Sequence, residues 1–245
     1  MTKESPLIGV ITGTGVSEYF DLSTPKAVRT RYGKATVYPY AEEGCVVMPR
    51  HGAAHESPPH GINYRANIAA FRELGIADVI ATSAVGSMNP GFRVGEIGLV
   101  EQFLDFTKRR QTTFFDQKVV HTDMTYPYSR HINLELSVAA KKIGIDLQQH
   151  LVYVCAEGPR FETAAEIKMY KILGGDVVGM TGVPEVVLAN EMKIGYASVV
   201  IATNWAAGMQ PKVSHEEVLR VMKGSGRTVK QLIDAAVAGL RGKKR

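Results

Sequence analysis

The chain has 245 residues, 45% of them apolar and 22% charged, which fits a globular protein and excludes extensive disorder. Its two cysteines, Cys45 and Cys155, exclude a disulfide framework and a four-thiolate zinc site and fit a reducing compartment. The net charge of +5 is largely terminal: Arg241, Lys243, Lys244 and Arg245 supply four of the 29 basic residues, and without them 25 face 24 acids, with no basic stripe suited to nucleic acid.

Residues 7–12 read as a strand that is apolar on both alternating faces, as expected in a sheet covered on both sides. It exits into 12-TGTGV-16, where two glycines let backbone N–H groups approach an anion and Thr14 adds a hydroxyl. No Gly-Lys-Ser/Thr follows, so this is not a Walker loop, and taken alone it is an ordinary tight turn. A second strand, 45–49, exits into 50-RHG-52, where the Arg50 fork and the His51 ring suit phosphate as donors. Histidines 51, 55 and 60 have no short-spaced carboxylate or thiolate to complete a metal site. After a helix over 63–75, a strand over 79–84 leads into 82-TSAVGSMNPG-91. There Ser83 and Ala84 offer a hydroxyl and free N–H groups. Three exits that each suit an anion are consistent with one phosphate site assembled from distant parts of the chain.

A strand over 97–103 and a helix over 133–144 come next, then a strand over 151–156 that exits into 156-AEGPRFET-163. Phe161 offers an aromatic face for a flat ligand, and Glu162 stands one residue before a helix start. Thr163 with Glu166, and Ser214 with Glu217, have capping-box spacing and mark helices over 163–174 and 214–240. Between them a strand over 176–180 leads into 179-GMTGVPE-185, which presents Met180 and Thr181, and a helix over 185–195 follows. The last strand, 197–203, exits into 203-TNWAAG-208, with the two-sided hydrogen bonder Asn204 and the small Ala206. Four of the five predicted helices run into a glycine where a helix stop belongs. Alternating strands and helices predict an α/β fold: a single domain, 1–245, with a central mixed, largely parallel β-sheet flanked by helices and a basic tail over 241–245. In such sheets ligands bind beyond the strand ends. Apolar runs such as 196-YASVVIA-202 are too short for a membrane span, and 7-LIGVI-11 has no signal-peptide core, so a cytoplasmic protein is expected.

The motifs 12-TGTG-15, 50-RHG-52, 63-NYRAN-67, 82-TSAVGS-87, 157-EGPRFET-163, 179-GMTGVPEVVLA-189 and 203-TNWAAG-208 span nearly the whole chain. Together they resemble the trimeric branch of the purine nucleoside phosphorylase and methylthioadenosine phosphorylase family. The resemblance implies phosphorolysis, in which nucleoside and phosphate give purine base and ribose 1-phosphate. It implies no metal and no cofactor beyond inorganic phosphate as co-substrate, no nucleic-acid or membrane partner, and a homotrimer or homohexamer. Carried over by position, Thr14, Arg50, His51, Ser83, Ala84 and Thr181 would hold phosphate. Phe161 would pack on the base, Met180 on the sugar, and Asn204 and Glu162 would hydrogen-bond the purine as the catalytic pair. His121, in 119-VVHTDM-124, matches a position that reaches a neighbouring subunit's sugar site.

Family members that cleave 6-aminopurines carry aspartates where Asn204 and Ala206 stand, and a small residue in place of Glu162. A 6-oxopurine presents N1–H, which a Glu162 carboxylate accepts, whereas adenine presents a bare N1 acceptor. His215, in 214-SHEEVL-219, resembles the family segment that places a histidine against the ribose 5′-hydroxyl. Inosine and guanosine are therefore the expected substrates. The alternative is an S-methyl-5′-thioinosine or 5′-methylthioadenosine phosphorylase, because NYRAN and NWAAG look closer to the methylthio branch. A reading of a different class is a non-catalytic nucleotide-binding module.

Overall fold

A computed structural model describes residues 7–40 and 43–242; residues 243–245 of the predicted basic tail lie outside them. The strands are β1 (Ile8–Thr12), β2 (Lys26–Thr30), β3 (Gly33–Tyr40), β4 (Cys45–Pro49), β5 (Asp78–Ser87), β6 (Ile97–Phe106), β7 (Leu147–Ala156), β8 (Val177–Gly179) and β9 (Gly195–Trp205). The helices between and after them are α1 (Tyr64–Glu73), α2 (Arg130–Ile143), α3 (Ala164–Ile172), α4 (Gly182–Glu191) and α5 (His215–Gly242).

These strands form one sheet in the order β2-β3-β4-β1-β5-β8-β7-β6-β9, and β9 pairs with β5 as well. Strands β5, β8, β7, β6 and β9 therefore close into a ring, with β1, β4, β3 and β2 extending from it. Pairs β1–β4, β1–β5, β5–β9, β6–β7 and β7–β8 are parallel. Pairs β2–β3, β3–β4, β5–β8 and β6–β9 are antiparallel, so the sheet is mixed, as expected.

Alternate residues of the central strands enter different cores. In β9, Ala197, Val199 and Ile201 pack with α2 and α5, while Tyr196, Val200 and Ala202 pack with α1 and α4. Successive side chains of a strand point to opposite faces, so both registers must be apolar here. A smaller cluster seats α3 on β7 and β8 through Ile167, Tyr170, Val154 and Val178. No helix among the described residues is long and apolar enough to cross a membrane.

Four expectations change. The β2–β3 hairpin was not predicted: Val28 is the one buried residue of β2, so the apolar alternation that marks a strand is nearly absent from this edge. Strands β5 and β9 run on through Ser87 and Trp205, past the predicted ends at 84 and 203, so residues 85–87 and Asn204 are strand residues rather than loop residues. Gly195 does not stop the fourth helix. Lys193 makes the left-handed turn at φ 56°, and Gly195 opens β9, where a Cβ would stand 2.6 Å from Asp78 Oδ1. Finally, the capping box at Thr163 and Glu166 is complete, but at Ser214 only half forms, because Gln210 Nε2 donates to the Glu217 carboxylate at 2.7 Å.

Candidate active site

The site begins as a gap beside β5. On one side β1 pairs with β5 only as far as Ala81, and β8 joins that side only at Gly86. On the other side β9 pairs with β5 throughout, so residues 82–85 keep one free edge. A cavity of about 370 Å³ opens at this gap, lined along β5 by Ser83 and Ala84. It lies where the neighbours of a central strand change, the place where open α/β sheets bind ligands.

One end of the cavity gathers hydroxyl and guanidinium donors of the kind that suit an oxyanion. Thr14, Arg50, His51 and Thr181 line it together with Ser83, whose hydroxyl lies 3.4 Å from that of Thr181. The Thr181 side chain makes no capping hydrogen bond, and the regular turns of α4 begin only after the extended Val183, so its hydroxyl stays available to the cavity. The Tyr153 hydroxyl fixes this turn by accepting from the Thr181 and Gly182 N–H groups at 3.2 and 3.3 Å. A glycine is required at position 13, where a Cβ would stand 2.7 Å from Arg50 Nη1 and 2.8 Å from the Thr82 carbonyl.

Arg50 is buried and held by Glu185, which accepts from Nε at 3.0 Å and from Nη2 at 2.7 Å. Burial lowers the pKa of this guanidinium, but Glu185 beside it more than offsets that, and Arg50 stays charged. Burial also brings the His51 imidazole down to about 4, against a raising contribution from the Ser57 carbonyl. His51 Nδ1–H donates to that carbonyl at 2.8 Å, which leaves Nε2 an acceptor in the neutral ring. A donor from Nε2 to phosphate therefore requires the doubly protonated ring. His55, at φ 57°, stacks on His51 with ring centroids 4.4 Å apart.

The other end combines an aromatic face with polar side chains, which suits a flat polar ring. Phe161 and Met180 line it with Glu162 and Asn204. Glu162 Oε1 is buried with no hydrogen-bond partner, and burial raises the pKa of this carboxyl. Asn204 Oδ1 accepts from the Thr203 hydroxyl at 3.0 Å, and one N–H of Nδ2 donates to the Trp205 carbonyl at 2.8 Å. The other N–H is uncommitted. His215, the first residue of α5, closes the wall beside His55.

The cavity thus brings together eleven of the residues singled out in the sequence. Two stand apart. Ala206 is buried, its Cα close to Gly86, and packs in the cluster that seats α3 without lining the cavity. His121 is exposed on the segment between β6 and α2 and does not line this cavity. Glu185 and Tyr153 were not singled out, and His55 was weighed only as a metal ligand. Of these, Glu185 carried a signal, a lone carboxylate in the apolar run 182-GVPEVVLA-189. Among the described residues no group of three or more His, Cys, Asp or Glu is arranged to hold a metal ion.

The sequence matches the family described as Phosphorylase superfamily over residues 7–238. Over 95% of its length it is 46% identical to the 6-oxopurine nucleoside phosphorylase of Pyrococcus furiosus, 92% of which is covered. It is 44% identical over 96% of its length to a probable S-methyl-5′-thioinosine phosphorylase of Methanothermobacter thermautotrophicus, 85% of which is covered. A solved methylthioadenosine phosphorylase from Schistosoma mansoni in complex with adenine superimposes with a TM-score of 0.89 at 31% identity, covering 98% of this chain and 93% of that one. The chain belongs to the phosphorylase superfamily, in the purine nucleoside phosphorylase and methylthioadenosine phosphorylase family that its motifs resemble.

Proposed function

We infer that the protein catalyses phosphorolysis of 6-oxopurine nucleosides, converting inosine or guanosine and inorganic phosphate into free purine and ribose 1-phosphate. The observation that carries this reading is the buried, unpartnered Oε1 of Glu162 beside Asn204, in one cavity with Arg50, Ser83 and Thr181. An ionised carboxylate accepts the N1–H of hypoxanthine or guanine and repels the lone pair that adenine presents there. The free N–H of Asn204 donates to N7 or O6. Relatives named for 6-oxopurine nucleosides at 46% and 47% identity agree with this assignment.

The chemistry follows from where charge develops. The C1′–N9 bond breaks with its electron pair leaving on the purine, while positive charge builds on the sugar. Asn204 stabilises the purine, which then takes a proton. Phosphate held at Thr14, Arg50, Ser83, Ala84 and Thr181 faces C1′, stabilises the cationic sugar and forms the new C1′–O bond. Met180 packs on the sugar and His215 bonds its 5′-hydroxyl. No protein nucleophile and no cofactor enters the scheme.

A homotrimer or homohexamer belongs to the same reading. Val119 is 84% exposed, with Val120, His121 and Tyr126 exposed beside it, and in this assembly His121 reaches a neighbouring copy's sugar site. A second reading, S-methyl-5′-thioinosine, draws on one feature: a hollow of about 820 Å³ continues past His55 and His215 to the exposed Leu219, leaving room for an apolar 5′ group. The test is product analysis of inosine incubated with and without phosphate. Hypoxanthine and ribose 1-phosphate in equal amounts, with no release when phosphate is omitted, support phosphorolysis. No base release with or without phosphate, from inosine or from S-methyl-5′-thioinosine, leaves a binding module.

A further inference from the structure

Arg50 is the only arginine or lysine among the residues lining the cavity, which the carboxylates of Glu56 and Glu162 also line. It does not enter that cavity as a free cation. Its Nε and Nη2 are committed to the two oxygens of Glu185, and Nη1 donates to the Thr82 carbonyl. Of its five N–H groups, one on each terminal nitrogen remains for a ligand. Glu185 is itself oriented, because the Tyr196 hydroxyl donates to its Oε2 at 2.6 Å. Both side chains of the ion pair are essentially sealed from solvent, at 1% and 0% exposure.

Stability does not call for such a pair, since buried ion pairs replaced by packed apolar groups often leave a fold no weaker. The phosphate end supplies a different reason. With Arg50 cancelled by Glu185 and His51 neutral, no net positive charge meets the phosphate there. We propose that Glu185 is a positioning residue for the phosphate: it aims the Arg50 fork and cancels its charge, so that phosphate is held by directed N–H and O–H groups and keeps its own negative charge. This rests on the phosphorolytic reading above and adds the electrostatic setting of the nucleophile. A cradle with net positive charge would bind ground-state phosphate more tightly and blunt the field that stabilises the cationic sugar. Glu185 in this way exchanges affinity for rate.

The experiment is calorimetric titration with inorganic phosphate, alongside kcat for inosine at saturating phosphate, for the parent, Glu185→Gln and Glu185→Asp. Thermal unfolding verifies that each variant is folded. The neutral Glu185→Gln is expected to bind phosphate roughly threefold more tightly while its kcat falls about tenfold. A loss of phosphate affinity, or an unchanged kcat, overturns the proposal. If Glu185→Gln does not fold, Glu185→Asp decides. It keeps the charge and displaces the fork, so kcat falls about tenfold with phosphate affinity no higher than the parent's. Unchanged kcat or tighter phosphate binding in Glu185→Asp overturns the proposal. A parent that binds phosphate but releases no base from inosine or S-methyl-5′-thioinosine contradicts the phosphorolytic reading instead, and the titrations still report the charge effect.

Discussion

An ionised carboxylate accepts hydrogen bonds and offers none, and this decides what Glu162 can recognise. Burial raises its pKa, so the proton leaves only above the ordinary glutamate value of 4.5 and the acceptor form is lost as pH falls through the raised value. kcat/KM for inosine should therefore show an acid limb above 4.5 that is absent in Glu162→Gln, whose activity at neutral pH drops roughly 10- to 100-fold. Protonation of His51 adds a separate limb near 4 that persists in the variant. A limb unmoved by the substitution would remove Glu162 from the base end. At the opposite end of the sugar, His215→Val should cost inosine about 3- to 10-fold and S-methyl-5′-thioinosine less. Equal losses on the two substrates would take His215 out of the 5′ contact.

At the scale of elements, α5 holds the first loop in place. Gly226 lies inside this helix, where a Cβ would press on the Tyr19 ring and stand 2.7 Å from the Gly15 carbonyl. That contact seats the 13–19 stretch, including Thr14, at the cavity. Gly226→Ala should lower stability by about 1–3 kcal/mol, because the added methyl meets backbone that has nowhere to go. It should also raise the KM for phosphate; denaturant unfolding and phosphate kinetics give both values, and a variant matching the parent in both would show that this contact is loose. The elements legible from sequence were those with both faces buried, such as β1, β4 and β9, and the helices closed by Gly75, Gly144 and Gly174. The β2–β3 hairpin was not legible, because an exposed edge leaves too few apolar positions to set a period.

At the scale of the molecule, the site is a consequence of closure. When β9 pairs with β5 and β6 together, the ring turns the ends of β1, β8 and β9 toward one gap, where Ser83 and Thr181, 98 positions apart, meet. The motifs contain most of the residues that line the cavity. They could not announce which partner each keeps. Glu185 lies 135 positions from Arg50, and its role is visible only once the pair is buried together. Likewise the tautomer of His51 depends on the Ser57 carbonyl, a contact that residue type alone does not imply.

The most direct test of the central claim is the ratio of kcat/KM for inosine to that for adenosine at saturating phosphate. A buried acceptor facing N1 predicts a ratio of roughly 10⁴ in favour of inosine. A ratio near one, or a preference for adenosine, would contradict the 6-oxopurine assignment and with it the role given to Glu162.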